Sequence, residues 1–152
     1  MKTDTPYDDE TIERVAHGVL DTTWPYAEWN HAAHFAAALW LLRHPDVLAG
    51  HGGIEAVIRR YNRAVGVPES PTRGFHATIT EASMRLAALE LARHAPDAPL
   101  SRVLGAIMDS PLGRSGWLLT HWSETRLMSV EARAAWIEPD LAPLPELHAS
   151  GL

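Results

Sequence analysis

The segment Glu28-Trp29-Asn30-His31-Ala32-Ala33-His34 places three side chains able to bind a metal or move a proton at i, i+3 and i+6. On a helix, residues three apart have Cβ atoms about 5–6 Å from one another, so one ion could touch two or three of Glu28, His31 and His34. His76, in Gly74-Phe75-His76-Ala77-Thr78-Ile79-Thr80, falls where another helix begins and would add a third imidazole. Gly74 lets the backbone approach closely, and Thr78 and Thr80 could cap that helix or hold a ligand histidine from behind. Three histidines without cysteine favour an open catalytic or transport site over a closed structural one. His121, within Trp117-Leu118-Leu119-Thr120-His121-Trp122, is a fourth candidate, as a ligand or as an acid/base beside the ion.

The chemistry expected of this set is that of a small metalloenzyme. His31, His34 and His76 would hold a divalent transition metal, zinc first and iron second, with Glu28 as fourth ligand or base. A metal-bound water or polarised carbonyl would then serve hydrolysis, hydration, elimination or isomerisation of a small molecule. With iron, two histidines and Glu28 match the facial set of oxygen-using enzymes, which makes an oxidase or oxygenase the alternative. A second alternative is a non-catalytic module that binds a metal or ligand through the same histidines. A third is a metal-free core in which each imidazole donates to a backbone carbonyl or a neighbouring side chain. His121 also fits as a packing partner of its flanking tryptophans, and Trp29 could line a pocket. His17, His44, His51, His94 and His148 fall near expected helix ends or in exposed segments, where histidine is commonplace.

Other templates are absent: no G-x-S-x-G elbow, no G-x-x-x-x-G-K phosphate loop, no G-x-G-x-x-G after a strand and no H-E-x-x-H. A di-iron carboxylate bundle needs paired E-x-x-H motifs, and only Glu28 to His31 fits the pattern. Arg59, Arg60 and Arg63 read as a solvated helix face, or less simply as a patch for a substrate carboxylate.

Composition bounds the rest. The 152 residues include 13 Lys+Arg against 19 Asp+Glu, a formal charge of -6, which argues against a nucleic-acid partner. The cysteine count of 0 removes disulfides, thiolate metal sites and a cysteine nucleophile. The longest nearly apolar run, Ala32 to Leu42, is about half the ~20 residues that span a bilayer, so no membrane partner is expected. Met1 to Glu10 is polar and acidic without a basic flank and apolar run, which fits a cytoplasmic chain.

These side chains need helices to position them. The 23 alanines and 18 leucines against 14 valines and isoleucines favour an all-α fold in one domain. Four main helices are expected: Asp9 to Leu20 with Asp8 as N-cap, Glu28 to Arg43 as the buried centre, Ile54 to Val65 closed by Gly66, and His76 to about His94. Thr22 to Tyr26 bends the chain around Pro25, His44-Pro45 stops the second helix, and Val67 to Gly74 links the third to the fourth. Shorter helices from Ser101 to Met108, around Trp117 to Trp122 and from Val130 to Trp136 precede a proline-rich tail from about Pro139. The whole reads as a helical bundle, and its surplus of tryptophan fits a homodimer.

Glu28 to His34, Tyr61-Asn62 with Gly74 to Thr80, and the ending Pro139-Asp140-Leu141-Ala142-Pro143-Leu144-Pro145 resemble a family of small, largely uncharacterised bacterial proteins. The resemblance covers about Trp24 to Pro145. Family members read E-W-T-H-x-x-H, then G-Y-H-E-T-x-T, then A-R-x-x-W-x-x-P-D-L, here Ala132 to Leu141. It implies the same site positions without supplying a reaction. Asn30 stands where the family usually has threonine, and Ala77 where it usually has glutamate; if that glutamate is an acid/base or a ligand in relatives, the resemblance implies a changed activity or a weakened site here.

Overall fold

The computed structural model describes residues 7–146. The fold is all-α, with no strand among the described residues. Helix α1 spans Asp9–Leu20, α2 His31–Arg43, α3 Pro45–Gly50, α4 Ile54–Val65, α5 Ala77–Ala92, α6 Leu100–Met108, α7 Glu124–Leu127 and α8 Val130–Ala134. Single 3-10 turns lie at Tyr26–Glu28, Pro111–Gly113 and Trp117–Thr120.

Helix α2 is the centre, as its alanine-rich, all-round apolar sequence requires. Phe35, Leu39, Trp40 and Leu41 are buried together with Ala33, Ala36, Ala37 and Ala38. Small alanines let other helices come close, and α2 packs against α1, α5 and α6. Ile12, Val15, Ala16 and Val19 form the inner stripe of α1, and Val103, Leu104 and Ile107 that of α6. Helix α4 is amphipathic, burying Val57 and Tyr61 while Arg63 and Ala64 face solvent.

The start of α2 departs from the sequence expectation, and the departure moves a candidate site residue. Glu28 belongs to the 3-10 turn after Pro25, and the chain is non-helical at Trp29 and extended at Asn30. The Asn30 side chain then accepts from Ala33 N–H at 2.9 Å, making it the N-cap of α2. Asparagine is among the best N-caps, so the helix begins at His31, not at Glu28. The continuous Glu28, His31, His34 fan therefore does not form.

Pro45 ends α2 as expected and also opens the unforeseen α3, where its fixed φ and missing N–H suit the first helical position. The segment expected as a helix to Trp122 is only a 3-10 turn, and α7 follows it with Ser123 as N-cap. The last helix stops at Ala134, before Trp136.

Beyond α8 the chain forms a strap held by side chains. Fully buried Thr78 donates from Oγ1 to Ala135 O at 3.0 Å and accepts from Ile137 N–H at 3.2 Å. Trp122 Nε1 donates to Ile137 O at 3.1 Å, and Asp140 accepts from Ser123 N–H and Oγ at 2.8 and 2.7 Å. Arg85 lies over the Trp136 ring, 4.0 Å from its centroid. These bonds supply partners for strap backbone that no helix satisfies.

Candidate functional site

A cavity of about 410 Å³ lies between α2, α4 and α5. Its walls are largely apolar: Trp29, Ala38, Leu41, Val57, Phe75 and Ile79 are typical. The polar lining is short: Tyr26, His34, Asn62, Arg73, His76, Thr80 and Ser83.

Local chemistry builds each wall. A Cβ on Gly18 would lie 2.9 Å from Trp24 Cβ, so this glycine lets the turn after α1 pack against the helix. Tyr61 OH donates to Trp24 O at 2.7 Å, and Trp24 Nε1 to Glu28 O at 3.0 Å, fixing the turn that presents Tyr26 and Trp29. On the opposite side, Glu69 gathers the loop between α4 and α5. Its carboxylate accepts from Arg59 at 2.8 Å, Asn62 Nδ2 at 3.1 Å and Phe75 N–H at 2.9 Å. Burial raises the Glu69 pKa, but the bonds from Asn62 and Phe75 and the Arg59 charge outweigh it and hold the carboxyl below its usual range. Gly74, at φ 95°, has the Glu69 carboxylate where a Cβ would sit, so a side chain there is excluded twice over.

The four histidines proposed from the sequence have separate fates. His31 directs Nε2 at Leu112 O, 2.7 Å away, and does not line the cavity. His76 uses both nitrogens: Nδ1 accepts from Ile79 N–H at 3.1 Å as the N-cap of α5, so Nε2 carries the proton and donates to Leu127 O at 2.8 Å. His121 lies outside the cavity with Nδ1 3.1 Å from Ala142 O and its ring edge-on to Trp117 and Trp122. Glu28 is exposed, and its backbone, not its carboxylate, does the structural work. The rings of His31 and His76 each lie within hydrogen-bond distance of a backbone carbonyl, and His76 is also a helix cap.

His34 differs, because its ring has no hydrogen-bond partner among the described residues. It packs edge-on against Trp29 with centroids 4.0 Å apart and lines the cavity. The residue is exposed at the cavity, while the protein packed around the ring disfavours a charge on it. Burial, with a smaller contribution from nearby His31, pushes its pKa down to about 4. At neutral pH the ring is uncharged, with one donor and one acceptor nitrogen.

Among the described residues no group of three or more His, Asp or Glu side chains is placed to hold a metal ion. His31, His34, His76 and Glu28 are not gathered into one such group. To ligate, His31 and His76 would have to give up the carbonyls of Leu112 and Leu127. The structure brings only His34 and His76 to the cavity. Asn62, Arg73 and Ser83 were not singled out as site residues from the sequence, and Thr80 was read there only as a cap or a support for a ligand histidine.

Comparison with protein-family models, curated proteins and solved structures finds no match to this chain.

Proposed function

We propose that the chain is a small-molecule-binding module whose site is the cavity between α2, α4 and α5. The observation that supports this reading best is an uncommitted, neutral imidazole in an otherwise apolar wall. The ring is exposed and has no protein partner among the described residues, so a ligand can hydrogen-bond His34 without breaking an existing bond within the protein. The volume falls within the range of about 300–1,000 Å³ usual for small-molecule sites, and a mostly apolar lining with a few polar groups is their common composition.

The same geometry supports recognition over proton abstraction. A general base works best with a pKa near the working pH, and an imidazole pushed down to about 4 is a weak base at neutrality. His34 then orients a bound molecule, Trp29 stacks beside it, and Asn62, Thr80 and Ser83 are available to match polar atoms.

The test is to fill the cavity. Ser83→Phe, introduced from the cavity-facing side of α5, is expected to abolish binding of any small molecule that raises the melting temperature of the parent chain. Circular dichroism of the variant should stay helical. Unchanged binding in a folded Ser83→Phe variant would place the ligand elsewhere and overturn the reading.

A further inference from the structure

Resting on the pocket reading above, we infer that the ligand is a small carboxylate with an apolar body, and that Arg73 is its charge partner. Among the described residues, Arg73 is the one formally charged side chain in the cavity lining, and no aspartate or glutamate lines it. That is the reverse of the whole chain, whose formal charge is -6. An arginine beside a mostly apolar volume attracts an anion whose body the volume can hold.

The neighbouring acid does not cancel this charge. Glu69, in the same loop, spends Oε1 on Arg59 and Phe75 N–H and Oε2 on Asn62. Arg73 makes no ion pair among the described residues. Its backbone is nevertheless placed, since Arg73 N–H donates to Ser70 O and Ser70 N–H to Arg73 O. The loop thus presents one guanidinium at the cavity from a closed turn.

Chemical class follows from the count of charges. A single guanidinium matches a carboxylate in a planar, bidentate pair, whereas a doubly charged phosphate would leave charge unpaired in an apolar wall. A cation is disfavoured by Arg73, and His34 is neutral and can donate to or accept from the ligand. The apolar lining of Leu41, Ile54, Val57, Ile58 and Met84 fits an aliphatic or aromatic body.

A matched series separates this inference from the pocket reading. Hexanoate, hexanol and hexylammonium share one body and differ in the head group, and each is titrated calorimetrically into the full chain at about pH 7.5 and low ionic strength. Hexanoate is expected to bind about tenfold or more tighter than hexanol, with hexylammonium weakest. Exposed Arg73→Gln should reduce hexanoate to the hexanol level and leave hexanol unchanged. Equal binding of hexanoate and hexanol, or hexanoate binding insensitive to Arg73→Gln, would overturn the carboxylate inference while leaving the pocket reading standing. Binding of none of the three would overturn both.

Discussion

A proton on His34 would put a cation in the cavity wall beside His31, and a proton on His76 Nδ1 would remove the acceptor used by Ile79 N–H. Burial lowers the His76 pKa as well, against a hydrogen bond to Leu127 that raises it. Unfolded histidines take up protons near about pH 6.5 without these costs. The stabilisation from keeping both rings neutral is therefore complete above about pH 6.5 and declines as the pH falls towards 4, because the unfolded chain binds protons that the folded chain refuses. Urea midpoints should fall from about pH 7 to pH 5, and His34→Gln should flatten that slope. Identical slopes in parent and variant would show that His34 titrates as in water. Thr78 belongs to this scale too. Thr78→Val keeps the shape but leaves Ile137 N–H without its acceptor, at an expected cost of about 1–3 kcal/mol in chemical denaturation.

At the scale of elements, the caps decide where helices begin, and they decided the site. The sequence reading began the second helix at Glu28, whereas the Asn30 side chain caps it and starts it at His31. Capping overrode propensity, and Glu28 fell outside. Asn30→Ala should cost about 1 kcal/mol, read as a lower melting temperature, and Asn30→Thr considerably less. Ala77 is the first residue of α5, where an acidic side chain gains from the helix dipole. Ala77→Glu should therefore raise stability by about 0.3–1 kcal/mol, falling with added salt, and a loss of stability would show that the position is too crowded. The centres of the four long helices, by contrast, were legible: α1 and α4 have the expected bounds, since long amphipathic periodicity names both the element and its buried face.

At the scale of the molecule, long-range pairings were what the sequence could not display. His31 meets Leu112 and His76 meets Leu127, partners 81 and 51 residues away that no local pattern marks. Residue type alone makes a histidine in an apolar segment equally suited to a metal or to a carbonyl, and the choice depends on which loop folds over it. The cavity was illegible for the same reason, being the space left between α2, α4 and α5, although Trp29 was readable as a lining residue. Since His31 and His76 are engaged with carbonyls, a strong chelator is expected to leave the melting temperature unchanged. A fall reversed by one equivalent of zinc or iron would restore the metal-centred alternative.

Thr78 near the start of α5 meets Ala135 and Ile137, 57 and 59 residues later in the chain. During synthesis α5 therefore leaves the ribosome with its first turn lacking partners for the Thr78 hydroxyl and His76 Nε2, until the segment around Leu127 to Ile137 has also emerged. Domains generally fold as their chain is made from the N-terminal side, so α1 and α2 can associate early while the cavity wall formed by His76 and Ile79 waits. Nascent chains arrested before Leu127 should accordingly be cut by protease near the α4–α5 loop, and chains extended past Ile137 should resist. Ligand competence would then arise only once the segment through Ile137 is free to fold back, after α1 to α6 have been made.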